Sequence, residues 1–362
     1  MNLFGETTSK YINRSLKAAQ FIITRKHTLS QVFNRARSEP KNSLAEVVKH
    51  KPRHLTIYPT DQCTLKCKMC LHNSRNQELN PDFIYPVRKD MSFETFKKIL
   101  DQFKDILEIS MAGIGEPFLN KDLFKMVEYA NSRKIEVGII TNGTLLDKFF
   151  DQIINSKITC ISISLNALTP KEYSALTGVP EKFFNLVLNN ISTLTKIRDK
   201  IKPDLEVRLS FVCTKSNFRQ IPDMIRIARN LKVDHLTFHN LIPSESEGFA
   251  KDECLFEDEP EIKEFFEKEC KRIYDDFRVN YPKFLKRNVT QRKCKMPFYL
   301  LGIDSEGNIS AGCRVLVPSE RFGNVFRDED VWNNQHMRKI RRMLLDESIP
   351  LMDSCKFCVE NC

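Results

Sequence analysis

The segment CTLKCKMC, residues 63–70, brings three cysteines close together in the chain: Cys63, Cys67 and Cys70. Thiols at this spacing are typical of metal or redox sites. His72 would complete a zinc set of three thiolates and one imidazole, whereas a redox pair usually stands alone as C-x-x-C. A [4Fe–4S] cluster is the third interpretation, because it normally takes one thiolate per iron. Three cysteines would leave one iron open, as catalytic metal sites keep one position open.

The elements around this segment predict an α/β fold. From Leu55 to Leu241, helical patterns alternate with short β-branched segments: HLTIYPT, LEISMAG, IEVGIIT, TCISISL, LEVRLSFV and HLTFHNL. This alternation predicts a parallel sheet with right-handed crossovers, and six such strands predict an open or partial (β/α)6 barrel of the TIM type. Functional groups should then lie on the loops after the strands. CTLKCKMC directly follows the first predicted strand.

A C-x3-C-x2-C motif in this position resembles the radical S-adenosylmethionine (SAM) superfamily, and the resemblance spans residues 53–241. It implies that Cys63, Cys67 and Cys70 hold a [4Fe–4S] cluster whose open iron binds SAM. It further implies that SAM is cleaved reductively to a 5′-deoxyadenosyl radical, which takes a hydrogen atom from a substrate C–H bond. A reductant such as flavodoxin or ferredoxin would supply the electron.

Motifs after the later strands support the resemblance. GIGEP follows the second strand, where the family has its glycine-glycine-glutamate motif. The match implies that Glu116 accepts a hydrogen bond from the SAM ammonium group, in a loop formed with Gly113, Gly115 and Pro117. TNGTLL, SISLNA and VRLSFVCTKSN bring further residues expected near SAM: Thr141, Asn142, Ser164, Asn166 and Arg208. For Ser164 and Arg208, the residues alone leave an alternative interpretation open: they are ordinary polar side chains that line the barrel.

Met69 departs from the family pattern. The family often has an aromatic residue before the third cysteine, stacked on adenine, and this chain has Met69 there. A polarizable thioether can make a similar contact. Met69 is therefore expected beside the adenine.

A second cysteine set lies near the end of the chain. Cys294 and Cys313 bracket a predicted hairpin with its turn at residues 304–308, and Cys355 and Cys358 form a C-x2-C. By spacing alone, this set suits a four-thiolate zinc site as well as an iron–sulfur cluster.

The same stretch resembles the auxiliary-cluster domain of radical SAM enzymes, called SPASM in its long form and twitch in its short form. GNISAGC, FGNV and VWNNQHMRKIR match its features. The long form would also need Cys254 and Cys270, and neither lies in a matching place. The resemblance therefore implies one auxiliary [4Fe–4S] cluster, on Cys294, Cys313, Cys355 and Cys358. Cys362 stays unassigned.

The remaining cysteines have different environments. Cys160 and Cys213 lie in predicted strands and are expected to be small buried hydrophobes. Cys254 lies in a polar linker that could fold over the barrel mouth. Some radical SAM epimerases resemble this layout and use a cysteine as hydrogen donor, so Cys254 is a candidate for that role.

The chain divides into four predicted regions: a basic helical extension over residues 1–50, the barrel over 51–243, a linker with helices over 244–290, and the auxiliary domain over 291–362. Ile12, Leu16, Ala19 and Ile23 recur at helical spacing. They predict an amphipathic helix packed on the main domain, with a membrane-surface helix as the alternative.

Composition limits the class of protein. Hydrophobic residues make up 41% of the 362 residues, enough for a full-size core. We find no transmembrane segment and no secretory signal in the sequence, so the twelve cysteines are expected to be reduced, in the cytoplasm. The net charge of +10 is spread along the chain without an aromatic-basic module, so no nucleic-acid partner is expected.

The expected substrate is a sugar-like or aminocyclitol-like small molecule that is oxidised, that is dehydrogenated, or epimerised with help from the auxiliary cluster. We find no leader-peptide-binding module in residues 1–50, which disfavours a peptide-modifying maturase that crosslinks or epimerises a ribosomal peptide. The positive charge suits a phosphorylated or nucleotide-linked substrate. A non-catalytic zinc or iron–sulfur protein is the remaining alternative.

Overall fold

A computed structural model gives the fold. It describes residues 27–38, 44–72, 75–76, 89–241, 249, 251–269, 277–287, 292, 294–311, 322–352 and 355. Several residues considered above lie outside this part of the chain: Ile12, Leu16, Ala19, Ile23, Cys270, Cys313, Cys358 and Cys362.

The centre of the molecule is one open sheet. Its strands are β1 (His54–Ile57), β2 (Glu108–Met111), β3 (Glu136–Thr141), β4 (Ile158–Ser164), β5 (Glu206–Cys213), β6 (His235–Asn240), β7 (Arg278–Asn280), β8 (Leu300–Ile303) and β9 (Ile309–Ser310), in the spatial order β7-β6-β5-β4-β3-β2-β1-β8-β9. Strands β1 to β6 are parallel and adjacent in chain order. The predicted six-strand β/α unit is therefore confirmed.

Helices connect and cover the strands: α1 (Leu29–Arg37), α2 (Phe93–Gln102), α3 (Leu123–Ser132), α4 (Phe150–Asn155), α5 (Pro170–Thr177), α6 (Lys182–Ile201), α7 (Ile221–Asn230), α8 (Pro260–Glu269) and α9 (Gln335–Leu345). Local sequence explains several ends. Thr169 caps α5 in a capping box with Glu172, and Pro170 occupies its first turn. Gly178 ends α5 at φ 72°, a left-handed conformation that glycine adopts without strain.

The hydrophobic core lies between the sheet and its helices. On β5 every second residue is fully buried, beginning with Val207, and the alternate residues are only half-buried. Helix α2 places Phe96, Ile99 and Leu100 in the same core. Each fully buried side chain of this size stabilises the fold by about 1.5–3 kcal/mol. Burying one face of each strand leaves the other face for the site.

The predicted hairpin is confirmed, but it does not form a separate unit. β8 and β9 are antiparallel across a turn in which Asp304 accepts backbone N–H groups of Glu306 and Asn308, each at 2.9 Å. β8 also pairs in parallel with β1, Leu300 opposite His54 and Ile303 opposite Ile57. The hairpin therefore continues the barrel sheet. Strand β7, for which no sequence pattern indicated a strand, extends the opposite edge beside β6.

Helix α1 packs at the start of the barrel strands. The Gln31 amide donates to Ile106 O at 2.8 Å, and the Asn34 amide donates to Asp105 O at 3.0 Å. These contacts tie the described part of the N-terminal region to the main domain. Among the described residues, no helix has the length and apolarity that crossing a membrane requires.

Candidate active site

The cysteine-bearing loop is held in place by backbone hydrogen bonds to α5. Lys66 N donates to Thr177 O and Lys68 N to Leu176 O, both at 2.9 Å. Within the loop, Cys70 N donates to Cys67 O at 3.0 Å. The loop follows β1 at the carboxyl end of the sheet, where parallel α/β folds bind ligands. The three thiols are therefore fixed relative to one another by main-chain contacts.

The three thiols act on one another electrostatically. Burial raises the pKa of Cys67, and charge on Cys70 and Cys63 raises it further. Burial also raises the pKa of Cys63, with smaller contributions from Glu116 and Cys70. Three thiolates at this place repel one another unless a cationic group compensates them, and iron does so by direct bonding. None of the eight described cysteines is in a disulfide, and no three His, Cys, Asp or Glu side chains in the described ranges form a site for a single metal ion.

The GIGEP loop docks on the cysteine loop through its glycines. Gly115 N donates to Thr60 O at 3.1 Å and Glu116 N to Gln62 O at 2.7 Å. A Cβ atom on Gly115 would lie 2.1 Å from Gln62 O, and one on Gly113 would lie 1.8 Å from Gly115 O. No larger residue fits at either position. The close approach positions Glu116 near enough to Cys63 to act on it electrostatically.

Glu116 is a buried carboxylate surrounded by neutral donors. Its side chain accepts from Thr141 Oγ1 at 2.7 Å, from Asn142 N at 2.8 Å and from Phe118 N at 3.3 Å. Glu116 is 1% exposed, and burial raises its pKa despite these bonds. The contacts described for Glu116 include no cation. Since buried charges are normally paired, a ligand ammonium group at the remaining acceptor position fits this site.

Asn142 joins the carboxylate to the cysteines. Its amide donates to Thr64 Oγ1 at 2.9 Å and lies 3.7 Å from Cys63 Sγ. Its side-chain oxygen accepts from Thr144 N at 3.0 Å, and Thr64 and Thr144 share a hydrogen bond at 2.8 Å. Thr64 and Thr144 were not singled out from the sequence, although both belong to motifs that were. Their only sequence signal is position within CTLKC and TNGT.

Met69 and Asn166 line one groove beside the cysteine loop. The groove has a volume of about 390 Å³, and its walls also include Val212 and Phe249. The Asn166 side chain accepts from Val212 N at 2.9 Å, which fixes it at the end of β5. Phe249 adds an aromatic ring that no sequence motif indicated. Met69 and Phe249 thus face the same groove, and the placement of adenine beside Met69 stays a prediction.

Ser164 and Arg208 lie at different heights in the barrel. Ser164 hydrogen-bonds Ser210 at 3.2 Å near the carboxyl ends of their strands. Arg208 is the third residue of β5 and pairs with Glu206. Arg208 lies opposite Ser162, two residues and about 7 Å below the level of Ser164 and Ser210. The hydrogen bond described for Arg208 goes to Glu206 and not to the Glu116 group, and its place near SAM stays a prediction.

Cys254 lies at the mouth of the barrel and is fully buried, at 0% exposure. It packs with Leu241 and Phe256, against Met69 and Val212. Its thiol donates to Leu241 O at 3.5 Å, and burial raises its pKa to about 12. The thiol therefore keeps its hydrogen at neutral pH, in a cluster that includes a residue of the cysteine loop.

The auxiliary cysteines are described only in part. Cys294 and Cys355 both pack on the main hydrophobic core. The segment around Cys294 is fastened to α9: Arg292 donates to Glu347 O at 2.9 Å, and Arg341 Nε donates to Pro297 O at 2.8 Å. Trp332 and Arg341, from the VWNNQHMRKIR motif, therefore support this segment, and the Arg341 guanidinium lies 4.3 Å from the Trp332 ring. Cys313 and Cys358 lie outside the described residues.

Comparisons with known families decide what kind of site this is. The model "Radical SAM superfamily" matches residues 57–250, more than half of the chain. The chain belongs to the radical SAM superfamily. A second model, "Iron-sulfur cluster-binding domain" (SPASM), matches residues 294–359. This radical SAM protein is therefore an enzyme that binds SAM and [4Fe–4S] clusters, as the cysteine loop and the buried Glu116 carboxylate already indicate.

The chain covers only about half of the length of three curated relatives that it matches. A tungsten-containing aldehyde ferredoxin oxidoreductase cofactor-modifying protein of Pyrococcus furiosus is 29% identical over 198 residues, which is 53% of this chain and 52% of that protein. An S-adenosylmethionine-dependent nucleotide dehydratase of Selenomonas ruminantium is 26% identical over 168 residues, 45% of this chain and 57% of that protein. A GTP 3',8-cyclase of Synechocystis is 25% identical over 186 residues, which is 50% of this chain and 52% of that protein.

Solved structures agree on the fold. Streptococcus suis SuiB aligns with a TM-score of 0.60 and 18% identity, over 94% of this chain and 81% of that chain. The enzyme anSMEcpe with bound AdoMet aligns with a TM-score of 0.57 and 17% identity, over 81% of this chain and 84% of that chain. At this identity the likeness establishes a shared architecture, the partial barrel with its auxiliary domain.

Proposed function

We propose that this radical SAM enzyme oxidises or epimerises a small, hydroxyl-rich molecule of the sugar or aminocyclitol class. Bound SAM and cluster supply a 5′-deoxyadenosyl radical that takes a hydrogen atom from a substrate C–H bond. The chain's own residues bind SAM, orient the substrate and exclude water. Glu116 holds the ammonium group, Asn142 and Thr141 hold Glu116, and the groove at Met69 receives the adenine.

The open face of the sheet is the observation that carries the substrate class. Strand residues that are only half-buried alternate with those in the core, and six of them are short hydroxyl residues: Thr56, Ser110, Ser162, Ser164, Ser210 and Thr237. In closed TIM barrels, bulky branched residues fill these positions. Short hydroxyls leave room for a ligand, and each can donate and accept hydrogen bonds. Such a lining suits a hydroxyl-rich molecule.

Charged groups lie at the lower end of this face. The His54 ring contacts Glu108 at 2.8 Å with Nδ1 and Ser110 Oγ at 3.0 Å with Nε2. This chain of groups is suited to take a proton from a substrate hydroxyl during oxidation. Arg208 pairs with Glu206 through its terminal nitrogen, and among the described residues its buried Nε atom has no hydrogen-bond partner. A phosphate group would give Arg208 the partner it lacks.

A phosphorylated or nucleotide-linked substrate is further supported by the net charge of +10. Two of the relatives carry names that refer to nucleotides, the nucleotide dehydratase and the GTP cyclase. We assign the auxiliary cluster to Cys294, Cys313, Cys355 and Cys358, as acceptor of the electron that a net oxidation releases. Flavodoxin or ferredoxin, in the cytoplasm, is the proposed reductant. The barrel is proposed to span residues 51–243 and the auxiliary domain residues 291–362.

A substrate screen tests this proposal. The cluster-loaded enzyme is incubated anaerobically with SAM and reductant, together with nucleotide-linked sugars, sugar phosphates, aminocyclitols or peptides. We expect a compound of the first three classes to raise 5′-deoxyadenosine formation and to yield a product changed by two mass units or at one stereocentre. Arg208→Gln should raise KM for a phosphorylated substrate with little change in SAM affinity. Stimulation by peptides alone would replace the proposal by a peptide-modifying function.

A further inference from the structure

Tyr173, on the buried face of α5, has a hydroxyl group that the site described so far does not use. The side chain is 1% exposed, and its hydroxyl oxygen is buried without a hydrogen-bond partner among the described residues. An unsatisfied buried hydroxyl costs about 1–3 kcal/mol, so folded proteins seldom retain one without a reason. A partner for Tyr173 is therefore expected from outside the described residues.

Neighbouring residues contact both the main chain and the ring of Tyr173. Thr177, one turn later on the same face of α5, donates to Tyr173 O at 2.6 Å and accepts Lys66 N of the cysteine loop at 2.9 Å. The ring packs against Phe184 of α6, with centroids 5.8 Å apart. The hydroxyl is thus held by the same helix that holds the cysteine loop.

The charges that act on the Tyr173 hydroxyl identify its surroundings. Burial raises the pKa of Tyr173, and charge on Cys67, Cys63 and Glu116 raises it further. A tyrosine hydroxyl is protonated at neutral pH and can donate a hydrogen bond. The Tyr173 hydroxyl bonds neither the cysteine sulfurs nor Glu116 in the polypeptide itself. A group that binds at the three cysteines can supply the acceptor that the described residues lack.

We propose that the Tyr173 hydroxyl donates a hydrogen bond to a sulfur atom of the [4Fe–4S] cluster held by Cys63, Cys67 and Cys70. Hydrogen bonds to cluster sulfurs are one of the means by which a protein sets the reduction potential. The reduced cluster carries more negative charge, so a donor stabilises the reduced form and raises the potential. Tyr173 thus makes it easier to load the electron that SAM cleavage requires.

Tyr173→Phe removes only the hydroxyl, and Tyr129→Phe is the matched control, because Tyr129 donates to Asp101 at 2.9 Å on the surface. The potential of each loaded protein is measured without SAM by an EPR-monitored redox titration. In a parallel sample, the EPR signal that changes when SAM is added identifies the cluster held by Cys63, Cys67 and Cys70. We expect a more negative midpoint potential in Tyr173→Phe, at unchanged iron content, and the wild-type potential in Tyr129→Phe. An unchanged potential in Tyr173→Phe refutes the proposal. A shift seen only with SAM present assigns the hydroxyl to SAM instead and also overturns it.

Two further measurements keep the proposal testable if Tyr173→Phe loads poorly. Electron–nuclear double resonance of the reduced wild-type cluster should detect a strongly coupled proton that is lost in D₂O, and its absence contradicts the hydrogen bond. Melting curves provide the second test. Without iron, Tyr173→Phe should be at least as stable as wild type, because the hydroxyl is then unsatisfied. With the cluster, it should be less stable. An equal effect in both states would assign Tyr173 to packing alone.

Discussion

Replacing Glu116 by glutamine tests the ammonium site most directly. The change keeps the shape of the side chain and removes its charge. A carboxylate has about four acceptor positions, and three donors already occupy Glu116: Thr141, Asn142 and Phe118. The position that is left is the one assigned to SAM. Glutamine would offer a weaker acceptor there and no opposite charge.

The size of the effect follows from the kind of bond that is lost. A hydrogen bond to a charged group is worth about 1.5–3 kcal/mol, so the Kd for SAM should rise about 10- to 150-fold. The assay is equilibrium binding of SAM to the cluster-loaded, oxidised protein, in which SAM is not cleaved. Glu306→Gln is the control, because Glu306 forms a half-exposed surface pair with Lys89 at 2.5 Å. Unchanged SAM affinity in Glu116→Gln would refute the ammonium site.

The pH dependence adds a second observable. Burial raises the pKa of Glu116 above its ordinary value of 4.5. Between that value and the raised pKa, the folded protein without SAM holds a proton that the unfolded chain has released. Stability of the SAM-free wild type should therefore fall as pH rises through this window, and Glu116→Gln should lack this contribution. A parallel pH dependence of the two melting temperatures would show that Glu116 does not titrate as inferred.

The remaining predictions concern the clusters, the loop and the mouth of the barrel. After anaerobic reconstitution we expect about eight irons per chain. A double Cys355→Ala, Cys358→Ala variant should hold about four irons and keep the EPR signal that SAM alters. Four irons with one zinc in the wild type would contradict the auxiliary cluster. Gly115→Ala should cost about 1–3 kcal/mol of stability or block cluster loading by overpacking, measured by melting and iron content. Gly138→Ala, whose Cβ would meet Cys160 only at 3.7 Å, should be tolerated. Burial raises the pKa of Cys254 to about 12, so its thiol should resist alkylation at pH 8 in the native protein. Mass spectrometry measures the labelling, and rapid labelling would show that the thiol is accessible and ionised.

The sequence predicted those features that depend on short-range spacing. Six strands, the cysteine loop after the first of them and Glu116 after the second all follow from local periodicity and fixed motif distances. The role of Glu116 is predicted from the resemblance of GIGEP to the family's glycine-glycine-glutamate motif, since G-x-G-E alone is a weak pattern. The turn of the late hairpin was also readable, since Asp304 to Asn308 carries its own turn chemistry.

Long-range placement could not be read from the sequence. Period two located Arg208 on the correct face of β5, yet the height of a residue in a barrel depends on the register between strands. The pairing of β8 with β1 joins segments that no local pattern connects. Tyr173 was missed for another reason. A buried tyrosine in an amphipathic helix looks like core, and only its unsatisfied hydroxyl distinguishes it.

The β1–β8 pair also affects when this protein can finish folding. β1 leaves the ribosome long before β8, because residues 58–299 are synthesised between them. During that time the β1 edge presents unpaired backbone N–H and C=O groups, which can template association with another chain. Contacts of such high sequence separation also slow folding. A barrel expressed without residues 300–310 would keep this edge exposed permanently, so we expect it to associate through β1 more readily than the full chain does.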